Sequence, residues 1–179
     1  CTGDGDLAAW AGADFVMGDE SGSVQEGTLC FTLSNVDPYE FSLIGNVHTN
    51  RTNSPIHSIY GNPKSPLVKD KHMNDKLIGP GFSGFNAGHV TVDSTDPASL
   101  TEAMMKGRKL ARQLHEGLVE FEPKSFGASF LASTANLMGI RESRRIKCDY
   151  TFTLEDWLAR KEFEDGIWRN CYYIDVHKK

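Results

Sequence analysis

Four residues able to handle charge stand close together in Gly139-Ile-Arg-Glu-Ser-Arg-Arg-Ile146: Arg141, Glu142, Arg144 and Arg145, in a chain whose net charge is −5. Adjacent like charges repel, so Arg144 and Arg145 are best tolerated where an anion, a carboxylate or bulk water absorbs their field. Ile146, Cys148 and Tyr150 alternate with Lys147 and Asp149, which predicts a strand over 144–150. On that strand Arg144 shares the apolar side and Arg145 shares the side of Lys147 and Asp149. A guanidinium on a buried face needs a carboxylate, a phosphate or an electron-rich ring to offset its desolvation. An internal salt bridge through Glu142 would satisfy the same residues, so a ligand-binding and a structural role both stay open at this point.

A second constellation lies at the other end. Cys1-Thr-Gly-Asp-Gly-Asp6 runs directly into Leu-Ala-Ala-Trp-Ala-Gly12, a glycine/aspartate turn entering a short helix. Such a turn presents main-chain N–H groups to a phosphate or ribose, and Asp4 or Asp6 can cap the helix or accept from a sugar hydroxyl. A plain helix cap explains the same residues. The cysteines at 1, 30, 148 and 171 show no Cys-x-x-Cys spacing and the six histidines no i, i+4 pair, so no metal or iron–sulfur ligand set is visible. Dispersed cysteines of this kind predict free buried thiols in a reducing compartment.

The elements that must position these residues fit one ordinary domain, or a substantial part of a larger one, since the chain has 179 residues. The acidic balance excludes a general nucleic-acid binder. No apolar run reaches the roughly 18 residues of a membrane helix and no signal peptide is visible; with its free thiols the chain is expected in the cytoplasm. The chain starts in the middle of a motif, on Cys rather than Met, which suggests a fragment cut at both ends.

Residues 27–36 read as a strand carrying Leu29, Phe31 and Leu33, ended by Asp37-Pro38. From 45 to 85 the composition is rich in Asn, Gly, Pro, Ser, Lys and His without a sustained period, which predicts mostly loop with short extended pieces, a binding loop or lid. A second strand is expected over 88–93. Residues 99–121 give the clearest helix, with Ser99 and Glu102 as a capping box and Leu100, Met104, Gly107, Ala111, Leu114, Leu118 and Phe121 in an apolar stripe. Lys106, Lys109, Arg112 and Glu116 form its solvated face. Thr153 caps a further helix with Asp156 at its third position, and 171–177 reads as a strand leading to His177. The fold class that follows is α+β, a mixed or antiparallel sheet with helices on one side.

Four segments carry a family resemblance in order along the chain: Thr2-Gly-Asp-Gly-Asp-Leu-Ala8, Gly139-Ile-Arg-Glu-Ser-Arg-Arg-Ile146, Asp149-Tyr-Thr-Phe-Thr-Leu-Glu-Asp156 and Ile174-Asp-Val-His177. With them the chain resembles the FAD-dependent oxidoreductases of the glutathione-reductase-like superfamily, in the subgroup named after the heterodisulfide reductase A subunit. The resemblance implies a substrate domain inserted in a split Rossmann-like FAD domain. Residues 1–14 would then end the FAD domain and 15–179 would be the insert, with 45–86 as its long loop or lid. The main partner would be an FAD domain of the same chain that is missing here, and the FAD site would be incomplete.

By the same resemblance Thr2, Gly3, Asp4, Gly5 and Asp6 would contact FAD together with Ser143 and Arg145. Arg141, Glu142, Arg144 and His177 would serve the chemistry, an arginine steadying an anionic substrate or reduced flavin and the histidine handling a proton. The implied reaction is hydride transfer between flavin and a small-molecule substrate. Some relatives carry a 4Fe-4S cluster, for which no ligands are visible in this sequence. Two other readings compete: a non-catalytic module for an anionic or carbohydrate-like ligand, and a structural domain whose Arg/Glu cluster is an ion-pair network.

Overall fold

A computed structural model describes residues 3–167 and 169–174. In chain order its elements are α1 (Asp6–Trp10), β1 (Phe15–Met17), β2 (Phe31–Ser34), α2 (Pro38–Ile44), α3 (Ile56–Ile59), β3 (Met73–Gly79), β4 (Phe82–Ala87), α4 (Pro97–Phe121), α5 (Pro123–Phe126), β5 (Phe130–Thr134), β6 (Arg144–Ile146) and α6 (Leu154–Leu158). The chain falls into two compact units, one of residues 26–142 and one of residues 1–25 with 143–179. All named sheets are antiparallel, so the class is α+β, as the sequence pattern predicts.

In the larger unit a four-stranded sheet runs in the order β3-β4-β2-β5. Alternation decides its faces: Phe31 and Leu33 on β2 are buried, and Ser83, Phe85 and Ala87 on β4 are buried with them. Thr32, Gly84 and Asn86 take the opposite, more open face. Phe31 and Phe85 stack at 4.8 Å across the β2–β4 pairing, in which they are register partners. The inner face shares one core with α4, whose buried stripe includes Ala103, Leu110, Ala111, Leu114 and Leu118. Two glycines let the helix approach closely: a Cβ at Gly107 would lie 2.7 Å from Leu29 Cβ, and one at Gly117 would lie 2.6 Å from Ile59 Cγ1.

Local signals account for most element ends. Asp37 accepts from the amides of Tyr39 and Glu40, with Pro38 opening α2 behind it. The long helix begins two residues before the predicted start because Asp96 caps it, accepting from Ala98 and Ser99. Ser99 instead uses its hydroxyl to accept from the Asp93 amide. Thr153 and Asp156 form the expected capping box on α6.

Several expectations need correction. The strand read over 27–36 is regular only from Phe31 to Ser34, because Gly27 and Thr28 make isolated bridges to Val90 and Gly139. The strand expected over 88–93 reduces to that single bridge at Val90. The 45–85 stretch is mostly loop, as expected, but its extended pieces are β3 and β4 joined as a hairpin, and it also holds the short helix α3. Period-2 alternation is hidden there because half-buried Asp75 pairs with Phe85 on the inner face, while Gly84 and Asn86 fill the outer one. Cys30, Cys148 and Cys171 are free but exposed rather than buried. Neither Asp4 nor Asp6 caps α1, whose cap is Gly5 in a left-handed conformation with no side-chain bond. Cys171–Ile174 has no regular structure, and the remainder of the strand expected to reach His177 lies outside the described residues.

Candidate functional site

In the smaller unit β1 and β6 form a two-stranded ribbon with Phe15 opposite Ile146, Val16 opposite Arg145 and Met17 opposite Arg144. This ribbon brings the two sequence motifs together. Arg144 Nη1 donates to the Asp6 carboxylate and, at 3.1 Å, to the Asp4 carbonyl. Its guanidinium lies over the Phe15 ring, 5.4 Å from the centroid, and its side chain is only 14% exposed. Carboxylate and ring are two of the three compensations expected for an arginine on the sheltered side of a strand. The carboxylate is Asp6, not Glu142.

Gly3 and Gly5 both have positive φ, 71° and 67°, so the turn that enters α1 is left-handed at two positions. A Cβ at Gly5 would stand 3.1 Å from Ile146 Cδ1, which seats the turn directly on β6. Ser143 is buried at the head of β6. Arg145, on the exposed side as alternation predicts, donates from Nη2 to the Gly18 carbonyl at 2.6 Å. The structure thus gathers Gly3, Asp4, Gly5, Asp6, Ser143, Arg144 and Arg145 in one unit. Thr2 and His177 lie outside the described residues.

Arg141 and Glu142 belong to the larger unit, and both are half-buried. Arg141 Nη2 donates to Thr28 Oγ1 at 3.2 Å. Partial burial pushes the Cys30 thiol above its ordinary value, with the Arg141 charge working against that shift. Cys30 lines a groove of about 450 Å³ on the open sheet face together with Thr32, Asn74, Lys76, Asn86 and Ser133. Its walls mix hydroxyls, amides and the Lys76 ammonium with apolar atoms of Phe31, Ile78, Phe85 and Ala135, which offers a small ligand polar and apolar contacts together.

One polar cluster escapes sequence reasoning altogether. His72 and His89 stack with ring centroids 4.4 Å apart, and Asp70 Oδ2 stands 3.3 Å from His89 Nδ1. Asp70 also accepts from the main-chain amides of His72 and His89, and His72 Nε2 meets Asn86 Oδ1 at 3.4 Å. Burial opposes ionisation of Asp70, but the bonds from His89 and the His72 amide outweigh it and hold the carboxyl below the usual range. Burial, then the charge of His89, lowers His72. The hairpin creates this cluster, since Met73 pairs with Ala87 and Gly88 donates to the His72 carbonyl. No spacing along the chain announces it.

Among the described residues no group of three or more His, Cys, Asp or Glu is placed to hold a metal ion, and no helix is long and apolar enough to cross a membrane. The chain belongs to the FAD dependent oxidoreductase family, whose model matches residues 1–179. No curated protein and no solved structure matches it.

Proposed function

We propose that this chain supplies part of the flavin site of an oxidoreductase that moves a hydride between FAD and a small organic substrate. The observation carrying this reading is the Arg144 bridge, which fixes the Gly3–Asp6 turn onto the strand of Ser143 and Arg145. The donor set suits a dinucleotide cofactor: a turn with two left-handed glycines allows close main-chain approach to a phosphate or ribose, and Asp4 offers an acceptor for a sugar hydroxyl. Bound FAD would supply the hydride chemistry. The protein groups would position it: Arg144, its charge partly balanced by Asp6, holds the turn, and Arg145 anchors the far end of β1 through Gly18. Arg141, Glu142 and His177 keep the roles the family resemblance implies, substrate orientation and proton handling.

A nucleotide-binding domain of the same polypeptide is proposed to complete the site. Leu7 is 73% exposed and Trp10 76%, an apolar surface on α1 suited to such a neighbour. The heterodisulfide reductase A subgroup, its 4Fe-4S association and a cytoplasmic location belong to this proposal as well. Titrating the 179-residue chain with FAD, followed by flavin fluorescence, tests it: binding should be weak, and tight stoichiometric binding would overturn the idea that the site needs a further domain.

A second reading has its own observation. The groove beside Cys30, Asn74 and Asn86 favours a non-catalytic module for an anionic or carbohydrate-like ligand. Flavin binding lost together with the Arg144 bridge would separate the two, because this module has no use for flavin.

A further inference from the structure

The sheet of the larger unit ends in an open edge at β5. Among the described residues β5 pairs only with β2, so the other side of Phe130–Thr134 presents unpaired main-chain groups. Its sequence, Phe-Leu-Ala-Ser-Thr, contains no lysine, proline or inward charge of the kind that blunts such edges, and the irregularity at Ala132 is its one blunting feature. Phe130 is 54% exposed.

Beside this edge runs a groove of about 630 Å³ between β5 and α4, lined by Leu131 and by Arg108, Lys109, Arg112, His115 and Glu116. Arg108, Arg112 and His115 recur at the i, i+4, i+7 positions of one helical stripe. Arg108 and Lys109 make no ion pair among the described residues, and Glu116 is taken up by Arg112 at 3.7 Å. The groove therefore carries a net positive charge, three basic side chains against one carboxylate, in a chain of net charge −5.

We propose that this groove receives an extended acidic segment of a partner polypeptide, which adds to β5 as a further strand and turns its carboxylates towards α4. The spacing fits that mode. Arg108 and Arg112 are about 6 Å apart along the helix axis, close to the ~6.6 Å between alternate side chains on one face of a strand, so a segment laid along α4 would meet both. Main-chain pairing supplies affinity in such complexes and the flanking side chains supply selection. His115 Nε2 meets the Ser129 carbonyl and hydroxyl, both at 3.1 Å, fixing the helix against the start of β5. The irregularity that leaves Ala132 between the Thr32–Ser133 and Leu33–Leu131 pairs twists the edge, so the added strand is short. A second copy of this chain fits poorly, because edge-to-edge pairing about a two-fold axis would set two sets of Arg108, Lys109 and Arg112 against each other.

The test uses the whole 179-residue chain and a fluorescent peptide of alternating glutamate and valine, beside a lysine–valine peptide and a glutamate–proline peptide of equal charge. Anisotropy should report binding of the glutamate–valine peptide alone, weakening as salt rises, with Arg108→Glu combined with Arg112→Glu costing about tenfold or more. Hydrogen exchange of the Phe130–Thr134 amides should slow in the complex. Unchanged affinity in the double variant, equal binding of the glutamate–proline peptide, unprotected β5 amides, or a concentration-dependent dimer protecting β5 would each overturn the proposal. The peptide comparison and the exchange measurement use the unaltered protein, so they decide the matter even if the double variant fails to fold.

Discussion

Arg144 donates to the carboxylate of Asp6 across a separation of 138 positions. Of the pair, Asp6 stays 44% exposed while Arg144 is nearly enclosed. Removing the arginine therefore leaves a carboxylate that water can reach, and the loss should resemble a surface pair, about 1 kcal/mol, rather than a fully buried one. Arg144→Ala is expected to lower the melting temperature slightly. A much larger drop would make the bridge chiefly structural.

Gly117→Ala sets helix propensity against packing. Alanine favours a helix interior by about 1 kcal/mol, yet its methyl would fall 2.6–3.0 Å from three carbons of buried Ile59. Overpacking of that kind costs about 1–3 kcal/mol, so the variant should denature at lower urea concentration. A midpoint at or above that of the parent would show that Ile59 gives way freely.

Thr153→Ala removes the hydroxyl that accepts from the Asp156 amide and should destabilise α6 by about 1 kcal/mol. The Asp156 carboxyl, held well below the usual range first by Tyr150 and then by the Thr153 amide, stays ionised in weak acid. Exchange of the amides in Leu154–Leu158 should accelerate in the variant. Unchanged exchange would mean that the capping box contributes little.

Acid should weaken the larger unit before it reaches the carboxylate range. His72 is lowered by burial and by His89, and His115 by burial. A base whose folded pKa lies below its unfolded value of about 6.5 takes up its proton more readily when unfolded. Stability is then fully present above about pH 6.5 and falls as pH drops below it. Asp70, with its depressed carboxyl, acts in a separate window and loses its contribution only below about pH 3.9. Replacing His72 and His115 together with glutamine should flatten the decline between about pH 6.5 and 5. An unchanged slope would place the titrating groups elsewhere.

Legibility in the sequence followed the range of the interactions. The α4 stripe, the Asp37-Pro38 stop and the Thr153 cap depend on residues a few positions apart, and each could be read directly. Both halves of the candidate site were visible as motifs, and the sheltered position of Arg144 followed from alternation. Its partner did not, because pairing of β1 with β6 chooses Asp6 over the adjacent Glu142. The β3–β4 hairpin was obscured by Asp75 on the inner face and by the small, polar Gly84 and Asn86 on the outer one. Asp70, His72 and His89 converge only once that hairpin has formed.

The central claim is that the Gly3–Asp6 turn and the Ser143–Arg145 segment act together on the flavin. The most direct measurement is the rate of FAD release from the flavin-loaded polypeptide that includes the proposed nucleotide-binding domain, followed by the rise in flavin fluorescence on dilution, for the parent, Arg144→Ala and Asp6→Asn, and for both changes together. The account predicts that each single variant releases FAD faster, Arg144→Ala by about tenfold, and that the double variant is no faster than Arg144→Ala, since Asp6→Asn weakens only a bond that Arg144→Ala already removes. Unchanged release with a lowered melting temperature would contradict it and make the bridge a structural ion pair alone.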